Sequence, residues 1–272
     1  MLVRASFHTF QTGNNTYQEM SPIIFITGAT SGFGKAIATI FAKNNYRIII
    51  TGRRADRLQS VAAELKKEYN AEVLPLNFDV RDKEAVVKAI ASLPETWRNN
   101  ILILVNNAGL AAGLDLIQDG STDDWDQMID TNVKGLLYVT KAVVPFMIAR
   151  QQGHIFNIGS VAAKQVYEKG NVYCASKFAV DALSQGMRID LLKHQIKVTA
   201  IHPGAVETEF SNVRFKGDEE RAKAVYKGYQ PLVAEDIANV VYYCATLPPH
   251  VCINELVITP TAQANPFYLD RG

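Results

Sequence analysis

The pattern of hydrophobic positions along the chain predicts short strands that alternate with longer helices. Several runs are almost continuously apolar and rich in isoleucine and valine, which is typical of strands buried on both faces of a parallel sheet. The predicted strands are residues 23–27, 47–51, 73–78, 101–105, 154–158, 197–201 and 255–258. The intervening stretches carry apolar residues at three- and four-residue spacing, which is typical of amphipathic helices. The predicted helices are residues 35–44, 56–69, 83–93, 123–150, 172–194 and 235–247.

This alternation predicts the fold class. Strand–helix repeats favour right-handed crossovers between parallel strands. We therefore expect an α/β fold, namely a single-domain, Rossmann-like, doubly wound parallel sheet with helices on both faces. Ser121 and Asp124 have the spacing of a capping box at the start of the helix predicted over residues 123–150.

Residues 21–272 are expected to form one catalytic domain, because no linker or repeat divides them. Residues 1–20 lack the continuous apolar segment of a signal peptide. We expect a disordered leader there, with a weak organellar targeting signal as the alternative. Segment 203–229 follows the sixth predicted strand and is expected to overhang the carboxyl edge of the sheet as a substrate loop, because ligands bind at that edge. Residues 260–272 form a tail that is expected to reach a neighbouring subunit.

Composition narrows the function classes. The 28 basic and 27 acidic side chains leave a formal net charge of +1, which gives no electrostatic case for a nucleic-acid or anionic-membrane partner. No run approaches the ~18 apolar residues of a membrane helix. The three cysteines lack CxxC spacing and indicate free thiols in a reducing compartment, so we expect a cytoplasmic protein. The five histidines have no metal-binding spacing, so no metal is expected.

A glycine-rich turn follows the first predicted strand and precedes the first helix. Backbone N–H groups in such a turn, at a helix N-terminus, favour the negative charge of a pyrophosphate. The alternative is a tight strand–helix turn without a ligand. The candidate cofactor-binding residues in the turn are Gly28, Thr30, Ser31, Gly32, Phe33 and Gly34.

Two arginines, Arg53 and Arg54, follow the second predicted strand, where an NAD site places an acidic residue. Guanidinium groups pair well with the 2′-phosphate of NADP. A solvated helix start is the alternative, but cations at a helix N-terminus oppose its dipole. The sequence therefore predicts NADP(H) as the cofactor.

The ends of the third and fourth strands add further cofactor candidates. The Asp79 carboxylate is expected to accept from the adenine amino group while Val80 packs on the ring; capping of the helix that begins near Asp82 is an equally good explanation of Asp79. The cofactor candidates at the end of the fourth strand are Asn106, Asn107, Ala108 and Gly109. A turn of the Asn-Gly type, without a ligand, is the alternative explanation of this segment.

Ser160, Tyr173 and Lys177 carry the strongest chemical signal. Tyr173 and Lys177 are four residues apart and face the same side of a predicted helix. An ammonium group one turn away is expected to lower the pKa of the phenol, which is ordinarily near 10. Ser160 follows the fifth predicted strand and is expected to hold the substrate oxygen against the phenol.

Over nearly all of residues 23–260 the sequence resembles the short-chain dehydrogenase/reductase family. The matching motifs are TGxxxGxG at 27–34, Asp-Val at 79–80, NNAG at 106–109, the asparagine of Asp-Thr-Asn-Val at 132, Ser160, YxxxK at 173–177 and Pro-Gly at 203–204. The resemblance implies an oxidoreductase and a homotetramer in which the helices carrying Asn132 and Tyr173 pack between subunits.

The same resemblance implies roles for individual residues. Tyr173 exchanges a proton with the substrate oxygen, Lys177 lowers its pKa and binds the nicotinamide ribose, and Ser160 positions the substrate. Asn132 holds a water that links Lys177 to solvent. The remaining implied cofactor residues, near the nicotinamide, are Pro203, Gly204, Val206 and Thr208.

Segments 170–173, 208–218 and 247–251 also resemble a narrower group, the NADP-dependent 3-hydroxy acid dehydrogenases. This implies hydride transfer from small 3-hydroxy acids such as L-serine, L-allo-threonine or 3-hydroxypropionate. Residues 162–165 (AAKQ) depart from the small and aromatic residues expected there, which leaves the substrate open and makes Gln165 a candidate substrate contact.

A cation is expected to bind the substrate carboxylate, with Arg214 and Lys216 as candidates and Lys164 as another. The alternative is that the two loop cations are solvated or bind a neighbouring subunit. Two other functions remain open: a broad-specificity NADPH-dependent carbonyl or sugar reductase, and a non-catalytic dinucleotide-binding regulator. The complete set of Asn132, Ser160, Tyr173 and Lys177 argues against a regulator.

Overall fold

The computed structural model describes residues 21–272, and these residues form one seven-stranded parallel sheet. The strand order is β3-β2-β1-β4-β5-β6-β7. The strands are β1 (Ile23–Ile26), β2 (Arg47–Gly52), β3 (Val73–Asn77), β4 (Ile101–Asn106), β5 (Gly153–Ile158), β6 (Ile196–Pro203) and β7 (Glu255–Ile258). Every predicted strand is present, and the predicted Rossmann-like doubly wound α/β fold is confirmed. The predicted leader lies outside the described residues.

Helices connect the strands and cover both faces of the sheet. Their bounds are α1 (Gly32–Lys43), α2 (Ala55–Tyr69), α3 (Lys83–Ala91), α4 (Glu95–Arg98), α5 (Thr122–Ile129), α6 (Leu136–Arg150), α7 (Asn171–Leu191), α8 (Phe210–Arg214), α9 (Glu219–Ala224) and α10 (Ala234–Ala245). The short helices α4, α8 and α9 were not predicted, because segments of four to six residues are too short to show a helical period.

The continuous apolar runs are explained by burial on both faces. Ile24 and Ile26 of β1 pack in the core beneath α1, α2 and α10. Ile23 and Phe25 of the same strand point the other way, into the core beneath α3, α6 and α7. Successive residues of a strand alternate between faces, so a strand between two helical layers must be apolar throughout.

The region predicted as one continuous helix over residues 123–150 is interrupted in its middle. It consists of α5, a π-helical turn at Asp130–Gly135, and α6. Ser121 caps α5, because its hydroxyl accepts from the Asp124 N–H at 3.4 Å. By length and composition alone, Thr122–Arg150 is long and apolar enough to cross a membrane, which the sequence did not predict. A core helix passes the same test, and Val139 and Val143 are fully buried against the sheet.

The strand order places a binding crevice at the carboxyl end of the sheet. β1 is flanked by β2 and by β4, so the chain reverses its direction of winding between β1 and β4. Ligands of open α/β sheets bind outside the carboxyl ends of the strands at such a reversal. The glycine-rich turn after β1 and the segment after β4 both lie at this position.

Candidate active site

A cavity of about 570 Å³ lies at the carboxyl end of the sheet. Gly28, in its wall, has a φ of +66°, and a Cβ there would lie 2.9 Å from Ala108 Cα. A Cβ on Gly34 would collide with the Gly28 carbonyl oxygen. Glycine at both positions therefore allows the turn to pack closely against its own backbone and against the segment after β4. The predicted turn residues that line the cavity are Gly28, Thr30, Ser31, Gly32 and Phe33. Gly34 supports the turn without lining the cavity.

Arg54 lies at the N-terminus of α2 and faces the glycine-rich turn. Its Nη2 donates to Thr30 Oγ1 at 2.9 Å and to Ser31 Oγ at 3.2 Å. Nη1 pairs with Glu209 Oε2 at 3.3 Å, and Arg57 Nη1 pairs with Glu209 Oε1 at 2.9 Å. An anionic partner was predicted for the arginines after the second strand; Arg54 and Arg57 have one in the chain itself, the Glu209 carboxylate.

Asp79 and Val80 line the same cavity. The Asp79 carboxylate accepts a bidentate bond from Arg81, with the Nη2 contact at 2.7 Å, and lies 3.7 Å from Arg53 Nη1. The helix cap that was the alternative explanation of Asp79 is instead supplied by Asp82, which accepts from the Ala85 N–H at 2.9 Å.

Tyr173, Lys177 and Ser160 meet on one side of the cavity. Tyr173 and Lys177 occupy one face of α7, and the Lys177 Nζ lies 5.9 Å from the centroid of the Tyr173 ring. Lys177 Nζ donates to the Ile158 carbonyl at 2.9 Å. Ser160 follows Ile158 by two residues in the segment after β5, so β5 and α7 together position all three groups.

Burial dominates the protonation equilibria of this pair. Desolvation raises the pKa of Tyr173 well above its usual value, and the Ser160 hydroxyl and the Arg214 charge only partly oppose it. Burial also lowers the pKa of Lys177 to about 8. The expected lowering of the Tyr173 pKa by Lys177 is therefore wrong for this state of the chain. The Lys177 ammonium is directed at the Ile158 carbonyl, and the cost of burying a phenolate is larger than the gain from nearby charge.

Two predicted site asparagines lie behind the cavity instead of lining it. Asn132 is in the π-helical turn, and its side chain exchanges two bonds of 2.8 Å with the Leu110 backbone and donates to Ser176 Oγ at 3.0 Å. Asn106 is buried and donates to Thr140 Oγ1 and Asn157 Oδ1, each at 2.9 Å. The expectation that Asn106 contacts the cofactor is wrong, because its side chain links β4 to β5 and α6.

The other predicted cofactor residues line the cavity. Asn107 does so while donating to the carbonyls of Thr27 and Gly28 at 2.8 and 3.0 Å, which holds the ends of β1 and β4 together. The remaining residues in the lining are Arg53, Ala108, Gly109, Pro203, Gly204, Val206 and Thr208.

Of the predicted substrate cations, Arg214 alone lines the cavity. Its guanidinium carbon lies 5.6 Å from the Tyr173 ring centroid, and its Nη2 donates to the Tyr167 hydroxyl at 3.0 Å. Lys216 instead pairs with Asp124 at 2.9 Å outside the cavity, with 65% of its side chain exposed. Gln165 is exposed and lies outside the cavity as well. The structure thus contradicts Lys216 and Gln165 as substrate contacts in this state.

Lys164 belongs to a separate polar cluster behind Ser160. Asp181, His202 and Glu255 lie close enough together to resemble a metal site, but the Lys164 ammonium pairs with both Asp181 and Glu255 and supplies the cation there. His202 Nδ1 lies 3.2 Å from the Ser160 carbonyl oxygen. Lys164 therefore does not face the substrate, and the cluster supports the segment that carries Ser160.

Several cavity residues were missed from the sequence. Tyr167 and Phe210 approach Tyr173. Tyr167 lies in a segment without a recognisable motif, and the resemblance of segment 208–218 assigned no role to Phe210. Glu209 was overlooked next to Thr208. The tail packs back on its own chain: Gln263 accepts from the Ala205 N–H at 2.8 Å, and Arg271 donates to the Lys227 carbonyl at 2.7 Å. Because these contacts link positions distant in sequence, only the fold reveals them.

Comparisons with known proteins agree with this geometry. Residues 22–219 match the family described as short chain dehydrogenase. The NADP-dependent 3-hydroxy acid dehydrogenase YdfG of Salmonella typhi is 49% identical over 243 residues, which are 89% of this chain and 96% of that protein. Serine 3-dehydrogenase of Agrobacterium fabrum is 45% identical over 245 residues, 90% of this chain and 96% of that protein.

The fold agrees with solved structures of similar sequence. The closed form of serine dehydrogenase complexed with NADP+ superposes with a TM-score of 0.84 at 47% identity, covering 89% of this chain and 96% of that one. Serine dehydrogenase from Escherichia coli superposes with a TM-score of 0.76 at 42% identity, covering 89% and 99%. This chain belongs to the short chain dehydrogenase family.

Proposed function

We propose that this protein oxidises the hydroxyl group of small 3-hydroxy acids, of the L-serine, L-allo-threonine or 3-hydroxypropionate type, with NADP+ as hydride acceptor. The protein is an oxidoreductase that acts on CH–OH groups. The observation that carries the substrate proposal is the position of Arg214, a cation that lines the cavity 5.6 Å from the Tyr173 ring centroid. The relatives named for 3-hydroxy acids and serine support it.

The cavity residues fit a phosphorylated dinucleotide. The close packing that Gly28 and Gly34 allow in the turn leaves the first residues of α1 in the cavity wall, and the N-terminus of a helix favours a pyrophosphate. Arg54 lies beside this turn, and both Arg53 and Arg54 line the cavity with charge suited to a 2′-phosphate. In this proposal the turn binds the pyrophosphate, Arg53 and Arg54 face the 2′-phosphate, and Asp79 and Val80 face the adenine.

When bound, NADP+ would supply the acceptor for the hydride that leaves the carbinol carbon. Tyr173 takes the hydroxyl proton of the substrate, so it must act from its phenolate form in the oxidation and from its phenol form in the reverse reaction. The Ser160 hydroxyl donates to the substrate oxygen and orients it toward Tyr173. Lys177 would bind the nicotinamide ribose, and Asn132, from behind the cavity, would hold a water that links Lys177 to solvent.

Arg214 provides the distinction between charged and neutral substrates. Its guanidinium faces the cavity. It donates to the Tyr167 hydroxyl and to the Gly113 carbonyl, and its remaining N–H groups are left for a carboxylate. A charge-assisted bond is worth roughly 1.5–3 kcal/mol. A substrate whose carboxylate reaches Arg214 would place its β-hydroxyl near Tyr173 and Ser160.

The test is NADP+ reduction, followed by NADPH absorbance, with L-serine, L-allo-threonine, 3-hydroxypropionate and an uncharged secondary alcohol, repeated with NAD+. We expect activity on the hydroxy acids with NADP+. Activity on the uncharged alcohol alone would contradict the substrate proposal and favour a broad carbonyl reductase. Absence of turnover with every substrate in both directions would contradict catalysis itself.

We further propose that the protein is a cytoplasmic homotetramer. Leu137 of α6 and both Phe178 and Ile189 of α7 are large apolar side chains exposed on the outer helices, and burial of such residues favours association. The free cysteines Cys174, Cys244 and Cys252 suit a reducing compartment. Light scattering tests the assembly, and a monomer at micromolar concentration would contradict it.

A further inference from the structure

Glu209 binds the two arginines at the N-terminus of α2. Its carboxylate lies 3.3 Å from Arg54 Nη1 and 2.9 Å from Arg57 Nη1. The pKa of Glu209 is lowered, because the Arg54 bond and charge outweigh the opposing effect of burial. The carboxylate is therefore ionised at neutral pH and occupies an anion site made by this chain's own residues.

This anion site coincides with the proposed 2′-phosphate site. Arg54 and Glu209 line the same cavity, and Arg54 also donates to Thr30 and Ser31 of the glycine-rich turn. A guanidinium has a limited set of N–H donors in a fixed plane. An incoming phosphate and the Glu209 carboxylate must compete for them, and two anions on the same side of Arg54 repel each other.

We infer that Glu209 is a cofactor-specificity residue, an internal competitor that weakens binding of the 2′-phosphate and thereby narrows the preference for NADP(H) over NAD(H). The inference rests on the proposed function, because it takes Arg54 as a 2′-phosphate ligand. Glu209 immediately precedes α8, and Arg214 ends that helix. Displacement of the carboxylate thus acts on the same short segment that carries the proposed substrate cation.

The experiment measures dissociation constants of the full chain for 2′,5′-ADP and for 5′-AMP, which differ only in the 2′-phosphate. Glu209→Gln keeps the side-chain shape and removes the charge. We expect it to bind 2′,5′-ADP about three- to fivefold more tightly, since partly exposed ion pairs are weak, with little change for 5′-AMP. Glu207→Gln is the matched control, because Glu207 is in the same loop, exposed, and outside the cavity lining.

Arg54→Ala separates the inference from the function on which it rests. Unchanged binding of 2′,5′-ADP by Arg54→Ala would remove the proposed phosphate site. If Arg54→Ala weakens 2′,5′-ADP while Glu209→Gln leaves its affinity equal or lower, the phosphate site stands and competition by Glu209 is overturned. An equal gain for 5′-AMP, or an equal gain in Glu207→Gln, would also overturn it, because the effect would then be general electrostatics. Thermal melting of each variant checks that it is folded.

Discussion

The Lys177 ammonium nitrogen lies 5.9 Å from the centroid of the Tyr173 ring and donates to the Ile158 carbonyl at 2.9 Å. Both side chains are almost completely buried, with 6% and 8% exposure. The bond to Ile158 holds the Lys177 side chain at the end of β5, two residues before Ser160. The relation of α7 to β5 therefore determines how the phenol, the ammonium and the serine hydroxyl meet.

Tyr173→Phe removes the proposed proton carrier and retains the ring that packs near Phe210. We expect kcat to fall about 10²- to 10⁴-fold, the range for loss of a general acid–base group. Affinity for 2′,5′-ADP should change little, because the lost hydroxyl lies away from the adenosine end. Steady-state kinetics and calorimetry measure the two effects. Tyr243→Phe, an exposed position on α10, is the control, and undiminished turnover by Tyr173→Phe would contradict the mechanism.

The two directions of reaction should depend differently on pH. Burial raises the pKa of Tyr173, so the phenolate needed for oxidation is scarce at neutral pH. The rate of oxidation should rise with pH, by up to about tenfold per pH unit. The rate of reduction, which uses the phenol, should stay level and fall only in strong alkali. Initial rates measured in both directions between about pH 6 and 10 check this. Parallel profiles would argue against a single group that serves as base and acid.

Most of the fold could be predicted because its strands are buried on both faces. A central strand of a parallel sheet is the structure that best buries every side chain of an apolar run such as residues 48–50, and this run lies in β2. The motif residues that line the cavity could be predicted from the sequence for a related reason. They sit at strand ends, and the carboxyl ends of parallel strands meet at one edge of the sheet.

The other site features depend on tertiary pairing that local sequence does not encode. Lys164 and Arg214 are both cations near the predicted substrate region, but Lys164 pairs with Asp181 behind Ser160 while Arg214 lines the cavity. The Arg54–Glu209 pair joins residues 155 positions apart. Asn106 lies beside Asn107 in one motif, and strand alternation directs it to the interior. In each case the position of the side chain depends on the partner that the fold brings close to it, and the local sequence does not show that partner.

Arg214→Ala should raise KM for L-serine about tenfold or more, since a charge-assisted bond worth roughly 1.5–3 kcal/mol is lost. The kcat/KM for an uncharged alcohol should fall much less, because that substrate has no carboxylate. Lys216→Ala is the matched control: it removes a cation from the same loop, but one that pairs with Asp124. Steady-state kinetics of both variants with L-serine and with the uncharged alcohol show which of the two cations binds the carboxylate. A larger KM effect in Lys216→Ala would transfer the role to Lys216.

Lys177→Met should stabilise the cofactor-free protein at neutral pH while it abolishes activity. Burial lowers the pKa of Lys177 from 10.5 to about 8. Below about pH 8 the folded chain therefore carries the full cost of a buried charge. Between that pH and 10.5 the unfolded chain holds more protons than the folded chain, so wild-type stability rises with pH relative to the variant.

The loss of the Lys177 bond to Ile158 offsets part of the gain in the variant. We expect the melting temperature of Lys177→Met to exceed that of the wild type by about 3 °C near pH 7, and the difference to shrink as the pH approaches 10.5. Calorimetric melts at several pH values measure the difference, in which the titration of all other groups cancels. Lys193→Met, at an exposed position just after α7, should show no such trend. A difference that is constant or grows with pH would mean that burial does not lower the pKa of Lys177 in the folded chain.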